Sequence, residues 1–305
     1  MGKTKDKLNI KGDISIHSEN ILPVIKKYLY SENEIFVREL ISNGFDAIKK
    51  LKKITTVETI KNIPEKHFIN VTIDEKKKTI TFTDNGVGLD AEEVQKYINQ
   101  VAFSGATDFI EKYKEKEDDK NNKKEGIIGN FGLGFYSSFI VSELVEIESL
   151  SYKDKATPVK WSCDGSTQFS LVEGKRKDVG TDIILHVADE SKDYLSEMKI
   201  TELVTKYANF LPIEIQVNGK KVNHENPLWN KQPSEVKDEE YKEFYKALFP
   251  YNQEPLFWIH LNVDYPFNLK GILYFPKILH ELDANKGNVK LFCQQVFVTD
   301  DAKAV

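Results

Sequence analysis

With 305 residues, 40% apolar and 30% charged, the chain has the make-up of a globular protein long enough for two domains. Its net charge of -5 is spread over interspersed acids and bases, which leaves no footprint for nucleic acid or an anionic membrane surface. Cys163 and Cys293 are too far apart for a CxxC pair, which argues against a disulfide framework or zinc site and fits a reducing compartment. The opening MGKTKDKLNIKGD lacks the apolar core of a signal peptide, and no run approaches a membrane span. TDDAKAV follows a strand-like run abruptly, so the chain reads as part of something longer.

Residues 13–17 alternate as a short strand, and residues 18–29 read as a helix with Pro23 in its first turns. Residues 31–53 predict a long amphipathic helix, opened by a Ser31–Glu34 capping box. Glu39, Asn43, Asp46 and Lys50 recur four, three and four apart, so they share one face. That stripe is either the solvated side of a surface helix or a functional face beside the buried one. Residues 68–73 and 79–83 alternate around a charged turn, which predicts a β-hairpin running into Asp84-Asn85-Gly86-Val87-Gly88. Asp90 and Glu93 form a capping box for a helix ending near Ser104-Gly105, and residues 108–116 read as another. Residues 112–125 are almost devoid of apolar side chains, as in a solvated loop, and are also compatible with a mobile flap.

Four glycines in nine residues, at 126–134, lead into an apolar helix over 135–141. Strands follow at 144–149, 159–163, 167–172 and 181–187, then an amphipathic helix at 193–210 and a strand at 213–217 closed by Asn218-Gly219. From Lys221 the character changes. A charged helix at 235–248 and strands at 256–263, 269–275 and 288–299 predict the first part of a second domain.

Three constellations carry chemistry. A carboxylate at a strand end followed by two glycines, Asp84 with Gly86 and Gly88, can accept from the exocyclic amine of a planar ligand; alone, it reads first as a strand-ending turn. GNFGLGF at 129–135 can present backbone amides to anionic oxygens, although it is neither a Walker A motif nor a Rossmann fingerprint. On the helix stripe, Asn43 suits a hard cation and Glu39 a general base acting on water. Their order along the chain is more informative than any one of them.

RELISNGFDAIKKL, TDNGVGL, GNFGLGFYSSFIVS and Gly180-Thr181 together resemble the heat-shock-protein-90 chaperone family, with the bacterial high-temperature protein G type nearest. The stretch from NPLWNKQP through PLFWIHLNVDYPFNLKGILYFP is similar to the start of that family's middle domain. The resemblance implies an α+β fold of the gyrase, chaperone, histidine-kinase and MutL ATPase type. Its N-terminal part would be a two-layer sandwich, a mixed, mainly antiparallel sheet with helices on one face. It implies an ATP-binding domain over residues 1–220 with a lid at about 104–135, then a partial middle domain over 221–305.

By position, Glu39 and Arg38 match the catalytic pair, and Asn43 the Mg²⁺ and phosphate ligand. Asp46, Asp84, Gly88, Leu89, Ser104, Gly105 and Thr181 match the nucleotide pocket. Gly129, Phe131, Gly132, Gly134 and Phe135 match the phosphate-binding end of the lid. The implied cofactors are ATP and Mg²⁺. The implied activity is ATP hydrolysis driving lid closure on client proteins, weak in this stretch alone. The resemblance further implies a cytoplasmic stress-response protein, a homodimer through a C-terminal domain absent here, and no nucleic-acid or membrane partner. Gly44-Phe45, Phe103 and Gln294-Gln295 depart from the family pattern. A histidine-kinase or topoisomerase-type ATPase and a non-catalytic module are the alternatives.

Overall fold

Period-two alternation of apolar residues sets the main sheet. In the computed structural model, which describes residues 32–60, 63–100, 133–249, 252–263, 269–277 and 290–300, strands β1 (Phe68–Asp74), β2 (Thr79–Asp84), β3 (Ser142–Leu150), β4 (Val159–Cys163), β5 (Ser170–Glu173), β6 (Gly180–Val187), β7 (Glu214–Val217) and β8 (Lys220–Lys221) form one sheet. Its order is β5-β4-β3-β6-β2-β1-β7-β8. Every pairing is antiparallel except β1 with β7.

One face is apolar and buried: Ile69 and Val71, Ile80 and Phe82, Val145 and Ile147, Val159 and Trp161, Leu185 and Val187, Ile215 and Val217. The other carries a half-buried polar lattice in which Glu146 accepts from Lys160 and pairs with His186. Helices α1 (Ile35–Val57) and α3 (Glu197–Ala208) belong to the buried side. The outcome is a two-layer α+β sandwich with a mixed, mainly antiparallel sheet.

Helix α1 is central. Phe36, Val37, Leu40, Ile41, Phe45, Ile48 and Leu51 are buried on it, and Phe36 makes edge-on contacts with Phe82 at 6.2 Å and Tyr194 at 5.2 Å. Phe45, the departure from the family pattern, is accommodated in this core.

Ser31 of the expected capping box lies outside the described residues. Glu34 is the N-cap but makes no side-chain cap bond; its carboxylate instead accepts from Tyr207 Oη at 2.9 Å and from Lys206. Charged and phenolic donors of α3 thus hold the Glu34 carboxylate. The Asp90–Glu93 box is present and opens α2 (Ala91–Tyr97), a shorter helix than the sequence suggested. Residues 134–140 form a 3-10 helix. The segment expected as one helix at 193–210 is a 3-10 turn over 189–195 followed by α3, because Ser196 caps a fresh start by accepting from the Lys199 amide. The strand at 13–17, the helices at 18–29 and 108–116 and the charged loop at 112–125 lie outside the described residues.

Beyond the Asn218-Gly219 turn, α4 (Asp238–Leu248) packs on a ribbon of β9 (Pro255–Val263) and β10 (Leu269–Pro276). The expected strand at 288–299 is a hairpin, β11 (Leu291–Cys293) and β12 (Val296–Thr299). Gln294 and Gln295 turn it, with φ of 50° and 69°, the left-handed geometry of a two-residue hairpin loop. Phe210 joins the two parts of the chain, with ring centroids 4.7 Å from Trp229, 5.7 Å from Phe244 and 5.3 Å from Phe292.

Candidate functional site

The apolar face of the sheet changes character at one end. Continuing the inward positions of β2, Ile80 and Phe82 are followed by Asp84. On β3, Val145 and Ile147 are followed by Ser149, and on β6 Thr181 occupies the equivalent end. The register pairs Asp84 with Thr181 and Thr181 with Ser149. Three polar side chains, each at most 7% exposed, thus form one cross-strand row where the pattern predicts hydrophobes. Burying such groups is costly unless they are paired, so a row of them marks a polar cavity wall.

The row is partly paired internally. Ser149 Oγ accepts from the Leu89 amide at 2.8 Å and lies 3.0 Å from Thr181 Oγ1 and from the Gly180 carbonyl, to which it can donate. Asp84 Oδ1 accepts from the Gly86 amide at 2.8 Å. Burial pushes the Asp84 carboxyl up to about 7, against the opposing pull of the Gly86 amide and Arg176. This carboxyl therefore changes charge near neutral pH and is short of partners for its ionised form.

Glycines bring the other elements to this row. Gly44 costs helix α1 about 1 kcal/mol relative to alanine, but a Cβ there would lie 3.3 Å from Asp84 Cβ and 3.2 Å from Ile69 Cδ1. The helix backbone therefore passes directly over Asp84. Gly86 is pressed against the same helix, where a Cβ would come within 2.5 Å of the Ala47 carbonyl carbon. The Val87 amide donates to the Ala47 carbonyl at 3.2 Å. Gly88 has φ of +62°, and a Cβ on it would strike the Leu150 carbonyl at 1.9 Å.

On the α1 stripe, Glu39 and Asn43 are half-buried and Asp46 is buried. The stripe is therefore not a solvated helix face. Arg38 grips one oxygen of Glu39, with Nε at 3.0 Å and a terminal nitrogen at 2.6 Å from Oε1. The other oxygen faces Gly134: a Cβ on that glycine would sit 2.5 Å from Glu39 Oε2. Asn43 makes no hydrogen bond with another described residue. Phe135 is buried against Trp161, with centroids 5.7 Å apart, which anchors the exit of the glycine run.

Asp84, Gly88, Leu89 and Thr181 are thus brought together, and Arg38, Glu39, Asn43 and Asp46 lie on the helix that crosses them, with Gly134 and Phe135 alongside Glu39. Ser104, Gly105, Gly129, Phe131 and Gly132 lie outside the described residues. Ser149 escaped the sequence reading; its signal was a hydroxyl at an inward position of an otherwise alternating strand. Arg176, in the KRKD stretch between two expected strands, also escaped it.

The arrangement suits a planar, amine-bearing ring on the Asp84–Thr181–Ser149 row with an anionic tail running toward Asn43, Glu39 and Gly134. Residues 30–174 match the family model described as Histidine kinase-, DNA gyrase B-, and HSP90-like ATPase, and residues 214–305 match Hsp90 protein. The chaperone protein htpG of Bacteroides fragilis (strain 638R) is 50% identical over 310 residues, 97% of this chain and 44% of the relative. The chain belongs to the Hsp90 family. Among further Hsp90-family relatives, the chaperone protein HtpG of Porphyromonas gingivalis (strain W83) is 49% identical over 311 residues, 97% of this chain and 44% of the relative. That of Borreliella afzelii is 38% identical over 313 residues, covering 95% and 50%. The chain spans about half the length of the curated Hsp90-family relatives it matches.

Proposed function

We propose that this chain binds Mg·ATP between α1 and the Asp84 end of the sheet and that the whole protein hydrolyses it as an ATP-dependent chaperone. The observation that carries this reading is the inward polar row Asp84–Thr181–Ser149 lying under the helix that holds Glu39 and Asn43.

In this reading the Asp84 carboxylate accepts from the exocyclic amine of adenine, and Thr181 with Ser149 supplies the hydroxyls beside it. Gly88 and Leu89 flank the base, and the glycine run from Gly129 to Gly134 offers backbone amides to the phosphates. No group of three His, Cys, Asp or Glu side chains capable of holding a metal occurs among the described residues. The donor available is the Asn43 amide oxygen, which fits Mg²⁺, since that cation takes one or two protein oxygens together with phosphates and water. When bound, Mg²⁺ neutralises developing phosphate charge. Glu39, oriented by Arg38, draws the proton from the attacking water. Arg38 leaves Oε2 as the oxygen for that task.

Residues 1–220 would form the nucleotide domain and 221–305 the opening of a middle domain, with residues around 104–135 closing over ATP. The relatives' chaperone naming supports client proteins as partners. Their greater length leaves room for a dimer-forming region outside this chain.

Calorimetric titration of Mg·ATP into wild type and Asp84→Asn tests the binding claim. The variant offers an amide donor to the adenine amine and should lose about 1.5–3 kcal/mol, a ten- to hundredfold weakening. Unchanged affinity would remove the basis of the proposal.

A further inference from the structure

Arg176 lies between β5 and β6, with its side chain only 11% exposed. All three guanidinium nitrogens are engaged. Nε donates to the Asp178 carbonyl at 3.0 Å, one terminal nitrogen donates to the Asp84 carbonyl at 3.1 Å, and the other pairs with the Asp182 carboxylate. Gly180 makes room for this. Its φ is +130°, and a Cβ there would lie 2.1 Å from the Asp84 carbonyl oxygen and 2.9 Å from an Arg176 nitrogen. A fixed, nearly buried cation therefore stands at the point where β2 ends and β6 begins, one residue from Thr181.

Backbone pairing already aligns Asp84 with Thr181, so the sheet does not need a guanidinium to hold the register. What the guanidinium adds is charge and direction beside a buried acid. Resting on the adenine-binding reading above, we infer that Arg176 is a positioning residue for nucleotide recognition: it pins the end of β2 and supplies the positive charge that keeps the Asp84 carboxylate available to an adenine amine.

The groups surrounding Asp84 fit that role. Gly44 from α1 and Ile69 from β1 pack against it and carry no charge. Burial pushes its carboxyl up, the Gly86 amide and Arg176 draw it down, and Asp182 pushes it up. Among the described residues, Arg176 is thus the one cation acting on Asp84, and it is partly neutralised by Asp182. A lysine would supply the charge without the three-way fork.

The test is Mg·ATP affinity by calorimetry from about pH 6 to about pH 9 for wild type, Arg176→Gln, Arg176→Lys and Asp182→Asn, with folding checked by thermal melts. Affinity follows the ionised fraction of Asp84. An upward displacement of its midpoint by about one pH unit in Arg176→Gln weakens binding close to tenfold at pH 6 and about fivefold at pH 7, with little difference by pH 9. Arg176→Lys should recover most of the affinity at pH 7. Asp182→Asn, which leaves Arg176 unopposed, should move the midpoint downward and keeps the test open if Arg176→Gln does not fold. A loss that is equal at every pH, or no midpoint displacement in any folded variant, overturns the inference and assigns Arg176 a structural role. Absence of Mg·ATP binding by the wild type would instead sink the nucleotide reading itself.

Discussion

Two regions break the inside-apolar, outside-polar rule in opposite senses. At the Asp84 end of the eight-stranded sheet, polar side chains point into the core layer and find partners among backbone amides and hydroxyls, with the Arg176 charge nearby. In the β9–β10 ribbon, Phe257, Ile259, Val263, Leu269, Leu273 and Phe275 share one outward face, and Phe257 and Phe275 stack at 4.3 Å. The opposite face, with Trp258 and Tyr274, rests on Tyr241 and Tyr245 of α4. The sheet has enough layers to shelter polar groups and hold them rigidly, whereas two strands and one helix cover a single face. A site that must be preorganised belongs in the first kind of environment.

Paired truncations give the largest expected contrast. Phe36→Ala removes a fully buried ring and should destabilise by about 3–5 kcal/mol. Phe257→Ala, at a ring 50% exposed, should cost under about 1 kcal/mol. Denaturant unfolding measures both, and equal losses would erase the distinction between the two regions.

Next in size is the stability cost of the polar row. Because the folded Asp84 carboxyl is raised to about 7 from its ordinary value of 3.8, the stability associated with its protonated form is full below pH 4 and is lost as pH rises toward 7. Asp84→Asn should remove that slope and stabilise the nucleotide-free protein at pH 8, by up to about 4 kcal/mol, while abolishing tight nucleotide binding. Thermal melts across pH check the sign. A parallel pH dependence in variant and wild type would show that Asp84 ionises freely.

Turnover in the whole protein separates the helix stripe from the row. Glu39→Gln should keep nucleotide affinity within a few-fold and lower kcat by about 10²–10⁴, read by phosphate release. The smallest effect is expected at the β11–β12 turn. Replacing Gln294-Gln295 with Asn-Gly relieves two left-handed residues and the buried, unpaired Gln295 Oε1, so a gain of about 1 kcal/mol is expected. Asn218-Gly219 already holds this geometry, with φ of 49° and 77°.

Much of the sheet was legible because alternation is local, and Asp84-x-Gly-x-Gly was legible as a site only through its order with the helix stripe and the later glycine run, since alone it reads as a turn. What escaped depends on distance in sequence. Ser149 becomes meaningful only when β6 sets it beside Thr181. Gly44 looked like a helix defect until Asp84 was found beneath it. Lys206 and Tyr207, far along the chain, hold the Glu34 carboxylate, a contact no local pattern announces. Arg176 becomes meaningful only when the sheet sets it against the Asp84 carbonyl and the Asp182 carboxylate.

The parallel pairing of β1 with β7 has a consequence for biosynthesis. β1 takes one neighbour from the adjacent hairpin and the other from β7, where Phe68 meets Glu214. A nascent chain leaving the ribosome can form the first ribbon early, yet one of its edges stays bare until Val217 has emerged. During that interval the half-built layer exposes unpaired amides and carbonyls, so translation speed over this stretch should govern how much of the newly made protein aggregates.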